Sequence, residues 1–169
     1  MNILTTHVGS LPRPKEVSDL LFKRENNKEY DQKHFDDVIS NSVFEVVKKQ
    51  LDIGIDIISD GEMSKISYAT YVKDRYSGFA GDSERNPPQD LEKFPNYMKK
   101  IAASGGTPTY SRPCCVSEII PKDSNDLLND INNLRNSSQK LNHNNIFMNS
   151  ASPGVISLFL NNSFYPSRN

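Results

Sequence analysis

Nine residues constrain this chain more than any others: Gly54-Ile55-Asp56-Ile57-Ile58-Ser59-Asp60-Gly61-Glu62. Gly54 closes an amphipathic run, the place where a helix usually ends in a left-handed cap. Ile55, Ile57 and Ile58 are β-branched and bounded by turn formers, which predicts a short buried strand. Helix and strand are joined with almost no linker, so the unit is an αβ joint. Asp60 and Glu62 then fall at the strand's carboxyl end, where ligands and catalytic groups gather in βα proteins.

The flanking sequence keeps the same rhythm. Residues 35–54 carry Phe35, Val38, Ile39, Val43, Val46, Val47 and Leu51 at mostly three- and four-residue steps, one apolar stripe on a helix. Asp36 and Asp37 lie early and Lys48 and Lys49 late, as the helix dipole prefers. Upstream, residues 2–7 read as a first strand that runs into Val8-Gly9-Ser10-Leu11-Pro12-Arg13-Pro14. Two prolines and a glycine cannot continue a strand, so this is a shaped loop. A short helix through Val17, Leu20, Leu21 and Phe22 follows, then a polar connection over residues 25–34.

Beyond Glu62 lie Tyr68, Tyr71 and Tyr76, then Gly78-Phe79-Ala80-Gly81 and a polar stretch containing Pro87-Pro88. Phe94, Tyr97, Met98 and Ile101 predict one or two helical turns before Gly105-Gly106. An excursion of this length exceeds the usual βα loop, and long ordered loops are often functional. Residues 114–120 are the third strand expected, residues 123–141 a helix with Ser124 as its N-cap, and residues 146–149 a fourth strand. Another helix begins over residues 155–160. About four strand-loop-helix units predict a parallel α/β fold.

Composition narrows the function classes. The 169 residues include 20 basic and 21 acidic side chains, net −1, which gives no footprint for nucleic acid or an anionic membrane. No apolar run approaches the roughly 20 residues of a membrane span. Met1-Asn2-Ile3-Leu4 shows no basic region leading into an apolar core, so the expected location is the cytoplasm. The two cysteines, Cys114 and Cys115, are adjacent, too strained to pair with each other and without the Cys-x-x-Cys spacing of redox or zinc motifs. They read as strand residues in a reducing compartment, or as a thiol lining a pocket. His34 and His143 sit in polar surroundings and receive no role.

Four stretches carry a family resemblance. Thr5-Thr6-His7-Val8-Gly9-Ser10-Leu11-Pro12-Arg13-Pro14 resembles the opening of the catalytic barrel of cobalamin-independent methionine synthase and its shorter relatives. The run from Gln50 to Asp60-Gly61-Glu62 is similar to that family's second-strand motif, and Tyr71-Val72-Lys73-Asp74-Arg75-Tyr76-Ser77-Gly78-Phe79 to the segment after it. Ala151-Ser152-Pro153-Gly154-Val155-Ile156, with Phe164-Tyr165-Pro166-Ser167, is similar to the fourth-strand region. The resemblance implies a (βα)₈ TIM barrel, typically about 250 residues, so residues 1–169 are expected to form its N-terminal half, as a truncated product or fragment. Unpaired edges on such a half would favour self-association.

The resemblance also implies a chemistry. The family moves a methyl group from 5-methyltetrahydrofolate, often as its polyglutamate, to homocysteine, giving methionine. Val8, Gly9 and Ser10 would bind the substrate carboxylate through backbone N–H groups and the Ser10 hydroxyl. Glu62 would accept the ammonium in a charge-assisted hydrogen bond. A zwitterion needs donors at one end and a carboxylate at the other, so the division is sound on physical grounds too. Asp60 either touches substrate or orients the loop as an Asx turn. His7, at the mouth of strand one, is a structural or functional histidine with even weight on each. Arg112, within Tyr110-Ser111-Arg112, resembles a contact to the folate's negative charges. Zinc, which in the family holds the thiol as thiolate, is expected to find its ligands beyond these residues, since no His-x-Cys pair occurs here. Two other readings stand beside this one: a zinc-dependent transferase using another thiol, of the coenzyme M type, or a non-catalytic fragment that binds a partner half.

Overall fold

The computed structural model describes residues 3–83, 89–103 and 111–167. Its apolar core is built by two helices near the start of the chain and one near the end. α1 (Lys15–Glu25) buries Val17, Leu20 and Leu21, and α2 (Gln32–Asp52) buries Phe35, Ile39, Val43, Val46 and Val47. The helix is three residues longer at its start than the apolar stripe, because the Asp31 carboxylate accepts from the backbone N–H groups of Lys33 and His34 at 2.8 and 3.2 Å.

Its far end is the left-handed cap expected at Gly54. Gly54 has φ +85°, its N–H donates to Leu51 O at 3.0 Å, and the Ile55 N–H reaches back to Gln50 O at 2.9 Å. This pair of bonds is the Schellman arrangement, and it turns the chain straight into the strand.

The parallel sheet is reduced to its central contacts. Thr6 pairs in parallel with Ile57, and Ile58 pairs in parallel with Ile146. Ile57 N–H donates to Thr5 O, Ile58 N–H to Asn145 O, and Phe147 N–H to Ile58 O, each at 3.0 Å. Of the first strand expected over residues 2–7, this pairing involves Thr5 and Thr6; Ile3 and Leu4 are exposed. Side chains complete the joint, with Asp56 Oδ2 accepting from the Thr5 N–H at 2.7 Å and from the Thr5 hydroxyl at 2.8 Å.

Direct pairing of Ile58 with Ile146 corrects the strand count. The stretch expected as fourth strand takes the third place, and α6 (Asn125–Lys140), packed on α2, is the crossover helix leading to it. Cys114–Cys115, expected as the third parallel strand, instead pairs antiparallel with Phe79–Ala80, in the register Phe79 to Cys115 and Ala80 to Cys114. These are β1 (Phe79–Ala80) and β2 (Cys114–Cys115), the arms of a hairpin. A parallel neighbour needs a helix packed across the sheet to return the chain. Between residues 62 and 114 the described helices are α3 (Val72–Arg75), α4 (Gln89–Glu92) and α5 (Pro95–Ala103), all shorter than α2 and α6.

Gly78 sets how closely the chain before β1 approaches the chain after β2. With φ +93°, it lies against the 117–118 backbone, and a Cβ there would stand 2.6 Å from Glu118 O. The Gly78 carbonyl accepts from Val116 and Ser117 N–H. Residues after α7 (Pro153–Phe159) then join the hairpin edge, with Cys115 N–H donating to Asn161 O and Ser163 N–H to Cys115 O. Two caps differ in quality. Ser152 caps α7 through its hydroxyl, which accepts from Val155 N–H at 3.2 Å. Ser124, the expected cap of α6, makes no side-chain cap bond, and the Asp123 carboxylate takes the Asn125 N–H instead.

A buried candidate site at three strand ends

The site begins with how the second strand is fastened. Gln50, on the last full turn of α2 and 3% exposed, donates its amide to Ser59 O at 2.8 Å and accepts from Ser59 N–H at 3.0 Å. A side chain thus supplies both bonds that a neighbouring strand would give, and it fixes where residues 60–62 leave the sheet.

Those residues turn sharply. Gly61 and Glu62 have φ +60° and +56°, two left-handed residues in succession. For glutamate that region is uncommon and is strained unless its surroundings impose it. Here they do. The Asp60 carboxylate accepts the Glu62 N–H at 3.1 Å, an Asx turn, while Gly61 O accepts the Leu11 N–H at 3.0 Å. Space is tight as well, since a Cβ on Gly61 would lie 3.2 Å from Leu11. The carbonyls that turn outward are taken by arginines. Arg13 Nη2 donates to Glu62 O at 2.9 Å and Lys65 O at 2.6 Å, and Arg24 Nη2 donates to Ser64 O at 3.2 Å.

Glu62 is 2% exposed, and its two carboxylate oxygens are held from opposite sides. The Ser10 hydroxyl donates to Oε2 at 2.5 Å and the Asn149 amide donates to Oε1 at 2.5 Å. Ser10 follows the first parallel segment, Glu62 the second and Asn149 the third. One carboxylate therefore ties together the carboxyl ends of three successive strands. Both donors are neutral, so they suit an ionised Glu62 without cancelling its charge. An ionised carboxylate has about four acceptor positions, and two are used.

The surrounding charge is buried but balanced. Asp60 and Lys65 are 2% and 5% exposed, and Lys65 Nζ lies 3.9 Å from Asp60 Oδ2 and donates to Asn149 O at 3.2 Å. Asp60 Oδ2 is buried without a hydrogen-bond partner. Burial pulls the Arg13 guanidinium below its usual value, against the upward pull of Glu62 and Asp60. Further along, Asp130 on α6 accepts from Arg75 at 2.6 Å. Burial raises the Asp130 carboxyl, with the Ser64 hydroxyl, Arg75 and Lys65 opposing.

The other residues singled out by sequence are placed unevenly. Val8 is exposed and Gly9, with φ +97°, is half-buried beside Ser10. His7 is half-buried, with Nε2 enclosed and unpartnered. Arg112 is apart from Glu62: its N–H donates to Asp82 and its carbonyl accepts from Ser83, on the hairpin side of the molecule. Tyr110 lies outside the described residues, as do Pro87-Pro88 and Gly105-Gly106. His34 pairs with Glu16 at the surface, and His143 Nε2 sits 3.0 Å from Asp56 O as a staple beside the first joint. Gln50, Arg13, Lys65 and Asn149 went unread in the sequence. Arg13 and Gln50 lay within the stretches that carry the resemblance, and Asn149 at the carboxyl end of an expected strand, but none was given a role.

A cleft of about 900 Å³ opens beside the site, walled by Tyr71, Phe79, Ile131, Met148 and Ile156, with Lys65 and Asn149 on its polar side. Tyr76 also lines this cleft, while Tyr68 packs edge-on against Phe159, ring centroids 5.4 Å apart.

The described residues do not fit a metal centre. Among the described residues no group of three or more His, Cys, Asp or Glu is placed to hold an ion. Cys115 is buried in β2, and burial, followed by the neighbouring Cys114, pushes its thiol up, away from the thiolate a metal needs.

Comparison with known proteins follows the same lines. Residues 3–86 match the family model described as the catalytic domain of cobalamin-independent synthase, a span containing Ser10, Asp60 and Glu62 but neither Arg112 nor Asn149. Over 75 residues the chain is 32% identical to a methionine synthase of Sulfolobus acidocaldarius, covering 44% of this chain and 22% of that protein. A B12-independent methionine synthase from Shewanella sp. W3-18-1, solved in complex with selenomethionine, superposes with a TM-score of 0.64 at 18% identity, over 97% of this chain and 42% of that one. At that identity the likeness speaks for the fold alone. The chain spans less than half the length of the relatives it matches.

Proposed function

From the premise that the matched region of this chain belongs to the cobalamin-independent synthase catalytic-domain family, we propose that it carries the amino-acid-holding part of a methyltransferase site. The full reaction in this reading takes the methyl group of 5-methyltetrahydrofolate to the sulfur of homocysteine, within a (βα)₈ barrel whose opening strands are the three parallel segments.

One observation carries the proposal. Glu62 is a buried carboxylate held by two neutral donors, with acceptor positions left over and no cation in hydrogen-bond contact with its side chain among the described residues. Arg13 acts on this carboxylate only through space, so the acid at this strand end is still open to a direct, hydrogen-bonded cation such as a substrate ammonium. Backbone N–H groups of Val8, Gly9 and Ser10 then receive the substrate carboxylate. In this reading the Ser10 hydroxyl, which donates to Glu62, orients the acid. Asp60 shapes the turn through the Glu62 N–H, and Arg112, on the hairpin, is left for the donor's negative charges. These residues bind and orient; the methyl step is not assigned to them, and the zinc of the family has no fitting ligand set among the described residues.

Isothermal titration with L-homocysteine tests the reading. A charge-assisted hydrogen bond is worth about 1.5–3 kcal/mol, so Glu62→Gln should weaken binding roughly 10- to 150-fold. Unchanged affinity would remove Glu62 from the site.

A further inference from the structure

We propose that Asn149 is a specificity-determining residue of this site, a second acceptor that selects substrates bearing a primary amine; the inference rests on the reading of Glu62 just given. Asn149 follows Phe147, whose N–H pairs with Ile58 O, so it stands at the carboxyl end of the third parallel segment. Its side-chain nitrogen donates to Glu62 Oε1 at 2.5 Å and its backbone carbonyl accepts from Lys65 Nζ at 3.2 Å. Its side-chain oxygen is buried with no hydrogen-bond partner.

The orientation of the amide follows from charge. An ionised Glu62 can only accept, so Asn149 must present its NH₂ to it, which leaves Oδ1 as the free group. Buried acceptors without a donor are few in folded proteins, and each asks for the group that completes it. Asn149 lines the cleft of about 900 Å³, whereas Glu62 is not among its walls. A ligand lying in the cleft meets Asn149 first and reaches the acid beside it.

A primary ammonium has the donors this arrangement lacks. One N–H can take a remaining acceptor position on Glu62, and a second can take Asn149 Oδ1. A thiol without the amine offers neither and leaves both acceptors unfilled. Asn149 thus distinguishes an α-amino thiol from amine-free thiols, the coenzyme M type among them.

The experiment compares L-homocysteine with 4-sulfanylbutanoate, the same thiol acid without its amine, by isothermal titration of the 169-residue chain and its variants. The wild type should prefer homocysteine at least tenfold. Asn149→Leu should cut that preference at least fivefold while 4-sulfanylbutanoate affinity stays within twofold. Asn149→Gln keeps both an amide donor for Glu62 and an amide acceptor beside it and should retain most of the preference, which a role resting on side-chain volume alone does not predict; it also serves if the leucine variant does not fold. Full preference in Asn149→Leu, or loss of both ligands alike in a folded Asn149→Leu, would overturn the inference. If Glu62→Gln abolishes the preference and Asn149→Leu does not, this inference falls and the reading of Glu62 stands. A wild type that binds neither ligand, or binds both equally, overturns the two together.

Discussion

Replacing Gln50 by leucine is the sharpest test of how the site is built. Leucine fits the volume and the helix, so the perturbation is confined to hydrogen bonding. It removes the donor to Ser59 O and the acceptor for Ser59 N–H, at a residue that is 0% exposed. Each orphaned buried backbone group costs about 1–3 kcal/mol. Two of them give roughly 2–6 kcal/mol, and the apolar gain of the leucine side chain offsets about 1 kcal/mol of that. The donor bond to Val46 O is lost as well, but that carbonyl belongs to the helix and is its natural acceptor. Urea unfolding followed by circular dichroism should therefore show a loss of about 1–5 kcal/mol with an unchanged slope. Gln50→Glu keeps the acceptor for Ser59 N–H but loses the donor and buries a charge, so it should be no better than leucine. A leucine variant within 0.5 kcal/mol of wild type would refute the claim that this side chain replaces a strand; that threshold is roughly the scatter of surface substitutions.

Two other outcomes follow from local geometry. Gly78→Ala puts a methyl group 2.6 Å from Glu118 O at a φ of +93°, so the hairpin must shift; the variant should lose about 2 kcal/mol or more on unfolding, and an unchanged melting temperature would refute this. The Asp56 carboxyl is held below its ordinary value of 3.8, first by the Thr5 N–H and then by the Thr5 hydroxyl. Because the folded value is depressed, the anchoring of Thr5 is complete above pH 3.8 and is lost as pH falls through the lower folded value. The Thr5 amide resonance should titrate with a midpoint below 3.8, and Asp56→Asn should abolish the titration; a midpoint at or above 3.8 would contradict the geometry.

What the sequence made legible is what depends on neighbours along the chain. The stripe from Phe35 to Leu51 predicts α2, Gly54 predicts its cap, and the β-branched run after it predicts the buried segment, because each rests on period and local backbone preference. The strand at Cys114 failed for a related reason. A β-compatible run has the same pattern in a hairpin as in a parallel sheet, and what decides between them is the Gly78 contact with residues 117–118, 39 or 40 positions away. The site divides in the same manner. Asp60 and Glu62 were visible from their place after a strand. The contacts of Ser10 and Asn149 with Glu62 were not, since a single carboxylate joins loops 52 and 87 residues apart in sequence.

The grip of Arg13 and Arg24 on the carbonyls of residues 62, 64 and 65 has a mechanical consequence. A loop at a strand end is ordinarily a cantilever, fixed at the sheet and free at the tip. Here the tip is bolted to the first helix and to Arg13, two residues before it, so the acid is carried at both ends like a beam. Its aim is then set by the spacing between α1 and the sheet, and the apolar side chains Val17, Leu20 and Leu21 that fix this spacing are, at a distance, the mounting of the carboxylate.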